Sequence, residues 1–368
     1  MSQKKPILMT PGPVGVRASV LKSLSKSIIF HRYSDFEELH SRLSSQLLRV
    51  FRASREHKCV IVTGSGTAAN ETVLSSAFDK HDKVLVVSNG DFGERLATIL
   101  ELHRVPVISY SVKAFHRIDP LEVLAKARNG RVTAIAMVAM ETSTGMVNPV
   151  KQVGLLIQSQ TRGRIDYFVD AVSALGCDPI DTKGWGITYC TSVPNKALEA
   201  PPGISFACVN TSKYFRRKKV PNSYYFDLSR YLRFGNISQT PTTPAVSQMV
   251  ALSTALDTLS LETVRSRRAR YQSLTDHLIE GLGRFGFVAS VRRESDRSAA
   301  VTAFDIPKHI DGLKLNHFLR QEGFTLWFPP NSTFANRREI MLTSVMGNVT
   351  KSNVRSLVIA IERFVNAS

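Results

Sequence analysis

Short apolar runs, most of them continuous and rich in β-branched residues, recur along the first two-thirds of the chain. They lie at Cys59–Thr63, Lys83–Ser88, Val105–Tyr110, Val132–Met140, Asp166–Asp170, Ile187–Thr191 and Ile204–Val209. A run that is apolar at nearly every position, rather than at every second one, suits a strand covered on both faces. Between the runs lie stretches with helical spacing of apolar residues, at Thr67–Lys80, Gly93–His103, Pro120–Asn129 and Pro149–Thr161. This β–α alternation predicts a mainly parallel sheet with helices on both sides.

The texture changes near residue 245. Val246–Arg284 reads as one or two long helices carrying a basic cluster, Arg265–Arg270. Strand-like pieces follow at Phe287–Val291, Ala299–Asp305 and Phe324–Phe328, with helical stretches at Gly312–Gln321 and Lys351–Asn366. The expected division is therefore a large α/β domain over 21–245 and a smaller C-terminal α+β domain over 246–368. The Pro-, Tyr-, Ser- and Thr-rich stretch Pro201–Pro244 reads as the connection between them.

Composition closes off other classes. Among 368 residues, 43% are hydrophobic and 21 Gly and 16 Pro are scattered without period, which excludes wholesale disorder and collagen-like repeats. The longest apolar runs are strand-sized, well short of the roughly 20 residues of a membrane helix. Met1–Thr10 lacks the apolar core of a signal peptide. Four widely spaced cysteines, with no Cys-x-x-Cys pair, support neither a zinc site nor a disulfide framework, and no metal is expected. Buried free thiols in a reducing cytoplasm fit that pattern. The outlying feature is charge: 48 Lys+Arg against 30 Asp+Glu gives +18, which would suit nucleic acid, an anionic surface or anionic small molecules.

Chemistry gathers at the ends of the apolar runs. Lys196 follows one of them and precedes the stiff turn Pro201-Pro-Gly203. Asp170 ends another, where ligand crevices open in parallel sheets. In Val62-Thr-Gly-Ser-Gly-Thr-Ala-Ala69 a strand passes through a Gly-rich turn into a helix, so backbone N–H groups and the Ser65 and Thr67 hydroxyls can cradle a phosphate. Phe92, in a loop after a further strand, offers a flat partner. A lysine for a Schiff base, a carboxylate for a pyridine nitrogen, a phosphate turn and a stacking ring are together what pyridoxal 5′-phosphate requires. Taken singly, each is ordinary: an Asp at a strand end is most often a turn or cap residue, and a lone Phe packs a core.

In chain order these segments resemble the class V aminotransferases, pyridoxal-phosphate enzymes of fold type I. The matching segments are Thr10-Pro-Gly-Pro13, Gly64-Ser-Gly-Thr67, Asn89-Gly-Asp-Phe-Gly-Glu-Arg95, Glu141-Thr-Ser-Thr-Gly-Met-Val-Asn-Pro149, Val169-Asp-Ala-Val-Ser173 and Asn195-Lys-Ala-Leu-Glu-Ala-Pro-Pro-Gly203. The resemblance implies a seven-stranded-type, mainly parallel sheet and an N-terminal segment, 1–20, that packs on the active site. It implies Lys196 as the Schiff-base lysine and proton shuttle, Asp170 on the pyridine nitrogen and Phe92 on the ring. Ser65, Gly66 and Thr67 would hold the phosphate, with Ser192 adding a hydroxyl and Thr242 reaching in from a partner subunit of a homodimer. Thr144 and Ser173 are further candidates near the ring. Two branches compete. The features around Asn195-Lys196, Tyr225-Phe-Asp-Leu228 and Thr240–Thr243 resemble 2-aminoethylphosphonate–pyruvate aminotransferases. Those around His31-Arg32 and the Pro-Pro-Gly turn resemble alanine–glyoxylate and serine–pyruvate aminotransferases. The first is favoured: a small anionic amine or amino acid would give its amino group to a keto acid such as pyruvate.

One departure stands out. The family's Arg-Ile-Gly-x-x-Gly segment, whose arginine clamps the substrate carboxylate, aligns with Leu342-Thr-Ser-Val-Met-Gly347. The arginine's position falls on Leu342, so the clamp is absent or has moved to Arg337 or Arg338. This opens a lyase, decarboxylase or replacement reaction on the same scaffold. Gly12, His31 and Arg32 are further candidates for contact with the substrate. The basic stretch Lys213–Lys219 has two aromatics and no nucleic-acid motif, and nucleic acid is not the expected partner.

Overall fold

A computed structural model describes residues 6–25, 29–220, 222–329 and 340–367. Its centre is a seven-stranded sheet. In chain order the strands are β1 (His57–Thr63), β2 (Val84–Ser88), β3 (Val107–Ser111), β4 (Ala134–Val138), β5 (Asp166–Asp170), β6 (Tyr189–Ser192) and β7 (Ile204–Asn210). They lie side by side as β1-β7-β6-β5-β4-β2-β3. Every pairing is parallel except those of β7, which runs antiparallel to β1 and β6.

Alternate residues of these strands build two cores, one on each face. Cys59 and Ile61, Leu85 and Val87, Ile135 and Met137, and Tyr167 and Val169 face one side. There they meet helices α1 (Ser34–Val50), α4 (Pro120–Asn129) and α5 (Val150–Thr161). Val60 and Val62, Val84 and Val86, Ala134 and Ala136, and Phe168 face the other, beneath α2 (Gly66–Ala77), α3 (Asp91–Leu102) and the short helix Leu228–Gly235. Burial on both faces is why the runs are continuously apolar.

Pro201–Pro244 is not a free connection. It supplies β7, inside the sheet, and its later part is tied down on the large-sheet layer. The Phe226 carbonyl accepts from Ser76 Oγ at 2.9 Å. Arg217 bonds Asp82 at 2.6 Å and Asp166 at 2.5 Å. The basic stretch around it is largely neutralised in place, because Lys219 also pairs with Asp79 and Asp82 and Lys213 with Asp166.

Beyond this layer, the long helical region splits at Thr263 into α6 (Val246–Glu262) and α7 (Val264–Gly283). The split coincides with φ +68° at Thr263. An antiparallel sheet of Val288–Ala289, Val301–Asp305 and Ile340–Ser344 follows, with α8 (Gly312–Gln321) and α9 (Lys351–Ala367). Phe324–Thr325 pairs in parallel with Ile7–Leu8. The next carbonyl, Met9 O, accepts from Ser344 N at 2.7 Å. The chain then crosses at Thr10–Pro13 to the carboxyl ends of the large sheet's parallel strands. Among the described residues, no helix is long and apolar enough to cross a membrane.

Candidate active site

Three strand-to-loop junctions converge there. Asp170 is the last residue of β5 and is fully enclosed. Its carboxylate accepts from Val172 N at 2.8 Å and from Asn70 Nδ2 at 2.6 Å. Asn70 is itself fixed, accepting from Thr191 Oγ1 at 2.5 Å. Burial raises the Asp170 pKa, while these two donors and the charges of Arg95 and Lys196 pull the other way.

Lys196 lies four residues beyond the end of β6 and is partly buried. Its Nζ donates to Pro11 O at 2.7 Å. Burial lowers its pKa to about 8; Asp170 works against that shift and Arg95 with it. Gly12 sits against the amine, so closely that a Cβ at this position would stand 2.3 Å from Nζ. The φ of +148° at Gly12 is one that residues with a side chain rarely adopt, so glycine suits this close pass of the N-terminal segment by the lysine.

The Gly64–Thr67 turn opens α2. Ser65 is the N-cap residue, with no side-chain cap, and the first turn holds no acid. First-turn N–H groups have no acceptor within a helix, so this end is free to meet an anion. A Cβ on Gly66 would be 2.9 Å from Val172 and 3.1 Å from Val193, so this glycine lets the turn close onto the loops after Asp170 and Ser192. Phe92 stands in the first turn of α3, not in a loop. Arg95, one turn on, places its guanidinium 4.6 Å from the Phe92 ring centroid, and its Nη1 lies 3.5 Å from Thr67 Oγ1.

The other candidates divide. Ser173 Oγ shares a 2.6 Å hydrogen bond with Thr142 Oγ1, and both are buried. Thr144 is fully buried and donates to Glu141 O at 3.3 Å; Ser192 donates to Ala171 O at 3.1 Å. Arg32 is engaged by Gln239 Oε1 at 3.1 Å and Thr240 O at 2.9 Å. It thereby braces the loop that holds Thr242, whose carbonyl accepts from Thr240 Oγ1 at 2.9 Å. His31 packs edge-on against Phe30, and burial and Arg32 lower its pKa. Leu342 is buried in the core and exchanges two backbone hydrogen bonds with Trp327, at 2.7 and 3.1 Å. Arg337 and Arg338 lie outside the described residues.

Sequence reasoning passed over Asn70, Arg95 and Glu141. Arg95 carries a signal, since its i,i+3 spacing from Phe92 puts both on one helix face. Asn70 has none, because its partner is 100 residues away. Glu141 is buried and its carboxylate accepts from Ser143 N and Oγ and from Gly93 N, at 3.1, 2.6 and 3.2 Å, so it caps α3 from across the chain.

The family model for class-V aminotransferases matches residues 21–327. The chain belongs to that family: it is a pyridoxal-phosphate-dependent aminotransferase with the fold type I architecture. It is 32% identical over 321 residues to an uncharacterized aminotransferase of Methanocaldococcus jannaschii, covering 86% of this chain and 81% of that one. It is 29% identical over 336 residues to a 2-aminoethylphosphonate–pyruvate transaminase of Phocaeicola vulgatus, covering 87% and 89%. Among solved structures, an alanine–glyoxylate aminotransferase from Nostoc sp. superposes with a TM-score of 0.90 at 26% identity, covering 99% of this chain and 96% of that one. The residues present fit the cofactor: an uncapped helix start for its phosphate, an enclosed carboxylate for its ring nitrogen and a desolvated amine for its aldehyde.

Proposed function

We propose that the chain transfers an amino group from a small amine of the 2-aminoethylphosphonate type to a keto acid such as pyruvate, with Lys196 as its catalytic base. The observation that carries this is the partly buried Lys196 amine, held by Pro11 O and with its pKa lowered by burial to about 8, beside the strand ends where buried Asp170 lies. When bound, pyridoxal phosphate supplies an aldehyde that condenses with amines and a protonated ring that withdraws electrons from the reacting carbon. Asp170, held by Asn70 and Val172 N, keeps the ring nitrogen protonated. The first-turn N–H groups of Gly66 and Thr67, the Ser65 hydroxyl and Arg95 bind the phosphate. Phe92 packs the ring face. The neutral Lys196 amine takes the proton from the donor's amine-bearing carbon, and the same ammonium returns it nearby. Thr142 and Ser173 orient the ring by their hydroxyls.

The donor class is supported by the Phocaeicola relative. The reading includes a homodimer in a reducing cytoplasm, with Thr242 serving the neighbouring site. It is supported by four buried free thiols and by the exposed Phe30 and Tyr33 that flank Arg32.

The test is a donor panel. The lysine-linked visible band should be lost with 2-aminoethylphosphonate and return on adding pyruvate or glyoxylate. No loss with any amine, or no borohydride-fixed label on Lys196, would overturn the reading. Leu342 favours one second possibility, an elimination, decarboxylation or replacement. In that case substrate would be consumed while the band persists.

A further inference from the structure

The loop that carries Lys196 belongs to no helix or strand, yet it must hold an amine in place. We infer that Glu199 is a positioning residue for Lys196: through a cluster with Arg17, Arg267, Arg270 and Tyr271, it fixes the lysine loop against both α7 and the N-terminal segment. This rests on the role given to Lys196 above.

Glu199 closes the turn that begins at the lysine, its N–H donating to Lys196 O at 3.0 Å. It does so with φ +61°, a left-handed conformation that a glutamate adopts only when its surroundings impose it. What imposes it is visible. The carboxylate is buried and accepts from Arg17 Nε at 3.1 Å, from Arg270 Nη2 at 2.7 Å and from Tyr271 Oη at 2.5 Å. Arg267, wholly enclosed, donates Nη1 to Ala197 O at 2.8 Å, the carbonyl next to the lysine. Glu262, at the end of α6, gathers the same guanidiniums by accepting from Arg267 Nε at 2.8 Å and Arg270 Nε at 2.7 Å.

Two consequences follow for the amine. The Ala197–Leu198 peptide, one residue past the lysine, is pinned to α7 by Arg267. Arg17 joins Glu199 to the very segment whose Pro11 carbonyl receives the Lys196 Nζ hydrogen bond. Both ends of the lysine's contact with Pro11 and Gly12 are thus referred to one carboxylate. No part of the cluster approaches as a reacting group; its work is geometric.

The test compares wild type with Glu199→Gln, Glu199→Asp and Arg17→Met. One readout is hydrogen exchange of the Asn195–Glu199 amides in the protein without cofactor. The other is the rate at which the lysine-linked band forms on adding pyridoxal 5′-phosphate, per mole of folded protein. Glu199→Gln should speed exchange in that segment and slow band formation by roughly tenfold or more, the scale of a misplaced reacting group. Glu199→Asp should recover part of both. Arg17 is partly exposed, so Arg17→Met should fold even if Glu199→Gln does not, and should move both readouts in the same direction by a smaller factor. A lower melting temperature with exchange and band formation unchanged would reduce Glu199 to a merely structural group and overturn the inference. A wild-type protein that forms no band would instead overturn the role of Lys196, while the exchange comparison would still judge the loop.

Discussion

Burial of an amine costs stability, and Lys196 shows on which side of neutrality the cost falls. The unfolded chain holds the lysine proton up to about pH 10.5, whereas the folded protein releases it near pH 8. Between those values the unfolded state binds more protons, so stability rises with pH; below about pH 8 the full penalty applies. At about 1.4 kcal/mol per pKa unit, that penalty is on the order of 3–4 kcal/mol. Lys196→Met should therefore make the cofactor-free protein more stable at pH 7, by roughly 1–3 kcal/mol, with the gain fading towards pH 10.5. Urea unfolding at pH 7 and pH 10 checks it, and an equal or lower stability at pH 7 would refute it. Lys196 and Asp170 were legible in the sequence because strand ends are where a parallel sheet presents chemistry. The residues that tune them were not. Asn70, Arg95 and Glu199 acquire meaning only from partners brought up by the fold, such as the Asn70–Asp170 bond across 100 positions.

At the level of elements, α3 depends on a residue outside itself. Its N-cap position, Gly90, has no side chain, and Glu141 and Ser143 take over the capping of the helix that presents Phe92 and Arg95. Burial raises the Glu141 pKa, and the surrounding N–H and hydroxyl donors oppose that rise. Glu141→Ala leaves those donors buried without an acceptor and should cost about 2–4 kcal/mol in urea unfolding. Arg217 bridges β5 and the loop before β2 in the same way. Arg217→Ala takes the nearest cation from buried Asp166 and one of two from buried Asp82, leaving Lys213 and Lys219 beside them, and should cost about 1.5–3 kcal/mol, measured by the same method. A change below 1 kcal/mol in either variant would show that water has replaced the lost partner. The strands were readable from continuous apolar runs, and helix α4 to the residue. Strand direction was not: nothing in Ile204–Asn210 distinguishes an antiparallel strand wedged between β1 and β6 from its parallel neighbours. The pairing of Ile7–Leu8 with Phe324–Thr325 is equally invisible, since it joins segments more than 300 positions apart.

Across the whole molecule, the charge of +18 has to reside somewhere. Ion pairing cannot remove it, because each pair consumes one cation and one anion. The basic stretches that first suggested a polyanion surface are substantially spent internally: Arg217 and Lys219 on Asp82, Arg267 and Arg270 on Glu199 and Glu262. The remaining excess lies outside these pairs, on a chain that takes an anionic cofactor. A distributed excess acts as a field. It raises the encounter rate of anionic small molecules and is screened over about 10 Å at 0.1 M salt. For 2-aminoethylphosphonate, kcat/KM should therefore fall by roughly threefold or more between 20 and 300 mM KCl, while kcat changes little. L-alanine, a zwitterion with no net charge, should show less than about half that dependence if it is accepted at all. Equal salt sensitivity for both donors would place the effect in a specific ion contact at the site. Sensitivity in kcat alone would place it after binding. Only a fall confined to kcat/KM and to the anionic donor identifies the surface excess as a means of gathering substrate.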